Sequence, residues 1–170
     1  MAAPLTLAAL TALCDEWRAL GLRVVLTNGV FDLLHAGHVS YLERARELGD
    51  RLVVALNSDA STRAIKGPLR PIVPQADRAA VLLALRAVDA LTIFDEPTAE
   101  AVVTAVRPEV YVKGGDYAAG TGGEPDLDRL PEARVVMGYG GQVTLLPYEP
   151  GRSTSELIRR IRELGQERGP

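Results

Sequence analysis

Both histidines of the chain, His35 and His38, stand three residues apart in the string Thr27-Asn28-Gly29-Val30-Phe31-Asp32-Leu33-Leu34-His35-Ala36-Gly37-His38. Two imidazoles at a helix start can donate hydrogen bonds to a phosphorus centre whose charge grows during attack. The helix start itself offers unpaired N–H groups and a partial positive charge, which attract phosphate. Gly29 and Gly37 would let backbone come close to such a ligand. The bland alternative is a pair of surface or capping histidines. A zinc site is a weaker rival, because it needs a third ligand and no spare His and no Cys lies near the motif.

Other polar residues cluster in a few short strings. Lys66 and Arg70 share the loop string Lys66-Gly67-Pro68-Leu69-Arg70-Pro71, where cations would neutralise phosphate charge or simply be solvated. Lysine occurs only at 66 and 113. Arg78 follows Asp77 at a helix start, a place where a cation is disfavoured unless an anion accompanies it. That anion is either a ligand or a neighbouring Asp. Lys113-Gly114-Gly115-Asp116 closes an apolar run, and Asp116 could hold Mg2+ or nucleotide, or the string is a structural turn. Ser153 and Glu156 in Gly151-Arg152-Ser153-Thr154-Ser155-Glu156 fit a capping box, a role that can coexist with phosphate binding. Asn57 and Asp59 either contact substrate or organise a turn.

These strings need elements to carry them. Leu7, Leu10, Leu13, Trp17 and Leu20 recur at helical spacing, so residues 5–20 read as an amphipathic helix stopped by Gly21. Apolar runs at 22–27, 51–56, 90–94, 110–113 and 142–146 read as strands. Between them, Val39, Leu42, Ala45 and Leu48 mark a helix, a short helical turn precedes Lys66, and residues 75–87 form another helix. Pro97 suits the first turn of a helix carrying Val102, Val103 and Val106. Residues 129–139 are ambiguous, with helix favoured. The last helix carries Leu157, Ile158, Ile161 and Leu164 on one side. Short strands, apolar on both faces and alternating with helices, imply an α/β fold: a Rossmann-like, doubly wound, five-stranded parallel sheet with helices on both faces. Ligands then bind beyond the C-terminal strand ends, at loops 28–37, 57–72, 94–97, 113–127 and 147–154.

Composition narrows the function. The 170 residues fit one domain, taken as 1–170, with no repeat or linker. A net charge of −3 offers no basic surface for nucleic acid or an anionic membrane. The lone Cys14 permits no intrachain disulfide and reads as a small core residue. Residues 1–14 lack a basic leader, and no apolar run reaches the roughly 18–20 residues of a membrane span, so a cytoplasmic location is expected. There is no P-loop string, and the first strand's loop lacks the dinucleotide pattern G-x-G-x-x-G.

The string Asn28 to His38, with its His-x-Gly-His core, resembles the signature of the cytidylyltransferase-like nucleotidyltransferase family. Within that family the chain is similar to the adenylyltransferase domain of ADP-heptose synthesis. The matching strings are Asn57-Ser58-Asp59-Ala60-Ser61, Lys66 to Pro71, Ala76 to Leu82, Val112 to Tyr117 and Gly151 to Thr154, spanning about 22–162. The resemblance implies that the histidines stabilise the transition state at the nucleotide α-phosphate, without a covalent intermediate. It implies Mg2+ held mainly through the nucleotide phosphates, and leaves Asp116 open as a protein ligand. It also implies transfer of AMP from ATP to D-glycero-β-D-manno-heptose 1-phosphate, with CTP as the runner-up nucleotide.

On these readings His35, His38 and Lys66 are catalytic. Asn28, Gly29, Val30, Phe31, Asp32, Gly37, Lys113, Gly114, Asp116, Arg152, Ser153, Thr154 and Ser155 bind nucleotide. Asn57, Asp59, Arg70 and Arg78 bind the acceptor. The segment 117–128, with Gly120, Gly122 and Gly123, departs from the family pattern near where the acceptor should sit. A glycerol-3-phosphate cytidylyltransferase or FAD synthetase remains an alternative with the same core, and a non-catalytic nucleotide-binding module is one of another class. The resemblance further implies a separate sugar kinase as a pathway partner, and a homodimer as an assembly open to the chain.

Overall fold

The computed structural model describes residues 3–115, 126, 128–147 and 153–166. Each strand occupies an apolar run: β1 (Val24–Gly29), β2 (Arg51–Asn57), β3 (Ala90–Phe94), β4 (Val110–Gly114) and β5 (Gln142–Leu146). They form one parallel sheet in the order β3-β2-β1-β4-β5. Helices α1 (Leu7–Ala19), α2 (Ala36–Arg46), α3 (Asp59–Lys66), α4 (Gln75–Leu83), α5 (Glu100–Val106), α6 (Pro131–Gly138) and α7 (Thr154–Gln166) alternate with them.

Successive strand residues point to opposite faces, so an apolar run with no polar alternation needs cover on both. Val24 and Leu26 pack with Leu10 and Cys14 of α1, Val103 of α5 and Val136 of α6. Val25 packs on the other face with Leu42 of α2 and Leu82 of α4. Burying each leucine completely is worth roughly 1.5–3 kcal/mol, and Leu10, Leu26, Leu42 and Leu82 are all fully buried. Cys14 sits in this core, where burial pushes its thiol up to about 11, as suits a packing residue.

At the strand starts, acids satisfy N–H groups that no neighbouring strand meets. Asp50 accepts from Arg23 N at 2.8 Å, Asp89 from Leu52 N at 2.8 Å and Glu109 from Val24 N at 2.9 Å. On the β3 edge, Leu5 forms a single parallel bridge to Thr92 and donates its N–H to Leu91 O at 2.8 Å.

The sheet changes winding direction between β1 and β4. In such sheets the crevice beyond the strand ends at that point is the usual ligand site. β1 reaches it two residues further than expected: Asn28 and Gly29 still pair with Ala55 and Leu56 and belong to the strand, as Asn57 belongs to β2.

Three further expectations are corrected. Residues before Lys66 form a full helix, α3, capped by Ser58, whose Oγ accepts from Ser61 N at 3.1 Å. α4 stops at Leu83 rather than at 87, because tight turns (Leu85 N to Leu82 O, Val88 N to Leu85 O) bury Ala87 and Val88 on the way into β3. Pro97 lies ahead of α5, which starts at Glu100. The intervening residues step off the sheet, with Glu96 O held by Ser61 Oγ at 2.8 Å. Residues 129–139 do contain a helix, α6. Among the described residues, no helix is long and apolar enough to cross a membrane.

Candidate active site

The turn from β1 into α2 is built on unusual backbone. Phe31 and Leu33 have φ of 48° and 47°, the left-handed region that bulky residues avoid. Each such residue costs on the order of 1–3 kcal/mol, so the surroundings must hold the turn. Asp32, between them, is only 2% exposed and accepts from Arg70 Nε at 2.8 Å, Ile72 N at 2.9 Å and Val73 N at 3.0 Å. Burial alone would raise its pKa. The two N–H groups and the guanidinium outweigh that and hold the carboxyl below the usual range.

The two histidines cap α2 reciprocally. His35 is the N-cap, and its Nδ1 accepts from Gly37 N at 3.1 Å. His38 Nδ1 lies 3.4 Å from His35 N, and the rings stand 4.0 Å apart between centroids. A neutral imidazole whose Nδ1 accepts carries its hydrogen on Nε2. Burial, and secondarily the neighbouring His35, push the His38 pKa down to about 4. At neutral pH His38 is therefore an uncharged donor. The capping and chemical readings of the pair are compatible, because capping occupies Nδ1 and leaves the proton on Nε2.

Across the switch point, Asn28 Oδ1 accepts from Tyr111 Oη at 2.6 Å and from Lys113 Nζ at 2.8 Å. Burial pushes the Lys113 ammonium down to about 8, with Glu132 opposing the fall and Lys66 adding to it. Gly114 follows. A Cβ there would stand 3.1 Å from the Tyr41 ring, so glycine lets β4 pass that ring. Tyr41 Oη shares a 2.6 Å hydrogen bond with Thr27 Oγ1 and donates to Val112 O at 3.2 Å, tying α2 to both central strands.

The cations expected at the ligand end take different positions. Lys66 is exposed at the end of α3. Arg70 is turned onto Asp32. Arg78 is 1% exposed. It donates to Val73 O at 2.9 Å, to Val30 O, to Asn57 O at 3.0 Å and to Asp59 at 2.7 Å. The anion beside Arg78 is thus Asp59, from α3, and not the adjacent Asp77. Asn57 turns inward as well, donating to Ser61 Oγ at 2.9 Å. Arg78, Asn57 and Asp59 together fasten the ends of β1 and β2 to α3 and α4.

At the α7 start, Ser153 Oγ accepts from Glu156 N at 3.1 Å, and Thr154 Oγ1 donates to Asp32 O at 2.8 Å. Ser155 is exposed beside Arg70. The first turn of α7 therefore meets the turn bearing the histidines. Asp116 and Arg152 lie outside the described residues, as does most of the segment 117–128. Among the described residues, no group of three or more His, Cys, Asp and Glu side chains converges to hold a metal ion.

Sequence reasoning missed Tyr41, Tyr111 and Glu132. Tyr41 follows His38 by three residues, one turn along the same helix face, and that spacing was a usable signal. Glu132 is buried and accepts from Ala99 N at 2.8 Å, capping α5, whose own N-cap residue Ala99 has no side chain to do so. Nothing local to Glu132 reveals that.

The geometry places paired imidazoles just beyond β1, beside the switch point of a doubly wound sheet. The sequence matches the profile of the Cytidylyltransferase-like family over residues 26–160. The chain belongs to this family of nucleotidyltransferases. It is 49% identical over 152 residues to the bifunctional protein HldE of Methylobacillus flagellatus, covering 89% of this chain and 30% of that protein. It is 51% identical over 152 residues to HldE of Streptomyces coelicolor, covering 89% and 31%. The chain thus spans about a third of the length of these curated relatives. Among solved structures, the lipopolysaccharide core biosynthesis protein of Thermoplasma volcanium superposes with a TM-score of 0.58 at 29% identity, covering 76% of this chain and 98% of that one. The pantoate-beta-alanine ligase of Francisella tularensis, at 13% identity and a TM-score of 0.60, covers 90% of this chain and 68% of that one and shares the fold.

Proposed function

We propose that this chain transfers AMP from ATP to D-glycero-β-D-manno-heptose 1-phosphate, giving ADP-heptose and pyrophosphate. The observation that carries the reading is the reciprocal imidazole cap of α2 at the sheet's switch point, in a chain about half identical to HldE proteins.

An oxygen of the acceptor phosphate attacks the α-phosphorus in line. The new P–O bond forms as the bond to the bridging oxygen breaks, and the electron pair leaves on pyrophosphate. The attacking phosphate is already an anion near neutral pH, so no general base is required. Catalysis rests on positioning and charge stabilisation. His35 and His38, protonated on Nε2, donate to the α-phosphate oxygens. Asn28 to Phe31, Gly37, Lys113 and Gly114 line the nucleotide, and Lys66 brings an exposed charge at the end of α3. Ser153, Thr154 and Ser155 with the α7 start receive the outer phosphates, together with Arg152. Mg2+ bound with the nucleotide phosphates would neutralise their charge, and Asp116 is the carboxylate of this chain that would be open to hold it. Arg78, Asn57 and Asp59 act on the acceptor side by holding the crevice wall. The protein is cytoplasmic on this reading. A sugar kinase supplies the 1-phosphate, and a homodimer is the assembly to look for.

Pyrophosphate release with Mg2+ tests the proposal, pairing ATP or CTP with heptose 1-phosphate, glycerol 3-phosphate or FMN. Release from ATP with heptose 1-phosphate alone is expected. Release from CTP or with another acceptor would keep the chemistry and replace the substrate. Nucleotide binding without release from any pair would favour a binding module.

A further inference from the structure

The kink at Phe31-Asp32-Leu33 has no glycine or asparagine to ease its left-handed backbone, yet it immediately precedes the paired histidines. Its consequences reach the imidazoles through one ring. Phe31 lies 5.6 Å from His38 between ring centroids, and its edge fills the space where a Cβ on Gly29 would stand, at 3.1 Å. Asp32 supports the kink from both of its ends. The carboxylate accepts from Leu33 N at 3.1 Å as well as from Ile72 N, Val73 N and Arg70, so loop 67–74 is buttoned to it. Its carbonyl accepts the Thr154 hydroxyl at 2.8 Å, so the first turn of α7 is buttoned to it too. A carboxylate with four protein donors and 2% exposure has little left to offer a ligand that is itself an anion.

We propose that Asp32 is a positioning residue, acting through Phe31 and Thr154 to set the span between the His35–His38 pair and the first turn of α7, and that it does not ligate nucleotide. Its catalytic meaning rests on the nucleotidyltransferase reading; its geometric meaning does not.

Because the chain has only two histidines, imidazole NMR reads the geometry directly, without any substrate. In the wild type, His38 should titrate at about 4. The Asp32 charge raises that value, so losing the charge alone would lower it. Losing the support of the ring, and with it the burial, would raise it toward the ordinary value of about 6.5. Asp32→Asn removes the charge, whereas Asp32→Glu keeps the charge at the wrong length. The expected result is a rise in both variants. An unchanged or lower midpoint in Asp32→Glu would overturn the proposal, and that variant also serves if Asp32→Asn fails to fold.

Pyrophosphate release is measured alongside. With ATP and heptose 1-phosphate, kcat should fall by at least about tenfold while the ATP Kd stays within about threefold, the signature of lost positioning. A Kd that weakens in step with kcat would make Asp32 a nucleotide ligand and overturn the proposal. Should the wild type release no pyrophosphate from any pair, the reaction reading falls, and the titration still decides whether Asp32 positions His38.

Discussion

His35 N–H points to His38 Nδ1 at 3.4 Å, so the backbone of the first histidine fixes the ring of the second. The pair is one unit, whose proton-bearing atoms are Nε2. Replacing His38 by Ala should therefore reduce kcat for pyrophosphate release by about 10²–10³-fold, the range found when one preorganised donor to a developing charge is removed. The nucleotide Kd, measured calorimetrically, should change by less than about fivefold. Comparable turnover in the variant would remove His38 from the chemistry.

His38 also ties stability to pH. Its pKa falls from 6.5 in the unfolded chain to about 4 in the fold. Between these values the unfolded chain binds more protons, so stability rises with pH across that window and is lost on acidification. For a half-buried ring the expected loss between pH 7 and pH 4 is roughly 2 kcal/mol. Urea denaturation of the wild type and of His38→Gln at both pH values should show the variant losing about that much less.

Lys113 should impose an alkaline limb on activity. With its ammonium at about 8, its charge disappears as pH rises through that value. Pyrophosphate release should decline from about pH 8 upward in the wild type and stay flat in Lys113→Arg, whose guanidinium does not titrate there. A wild-type profile level to pH 9.5 would contradict a charge role for Lys113.

Arg78 is expected to matter first to the fold. Arg78→Met strands Asp59 and the carbonyls of Val30, Asn57 and Val73. Losing these four hydrogen bonds, with Asp59 itself partly exposed, costs about 3 kcal/mol. For a chain of this size that lowers Tm by roughly 6–12 °C. A Tm within two or three degrees of wild type, read by differential scanning calorimetry, would show that these bonds are replaceable.

Much of this was legible in the sequence because it is local. β3 and β5 coincide with their apolar runs, and the Asn28 to His38 string carries its own context of strand, glycines and helix start. Arg78 was legible only as a cation wanting an anion. Its partners lie 5 to 48 residues away along the chain, so nothing within one turn identifies them. The strained turn escaped notice for the opposite reason: Phe31 and Leu33 are the residue types least expected in left-handed backbone, and only long-range bonds to Asp32 make them tolerable. Pro97 misled because proline suits a first helical turn, while the chain used it in the step before α5.

The bridge between Leu5 and Thr92 bears on a different property, colloidal behaviour. A bare edge strand is a template on which another molecule can add its own strand. By donating to Leu91 O and accepting from Thr92 Oγ1 at 2.9 Å, the residue ahead of α1 occupies part of the β3 rim before any neighbour can. Trimming the chain to Thr6, which keeps the α1 N-cap, should thus cost only the Leu5 contacts and still make concentrated solutions prone to edge-to-edge association.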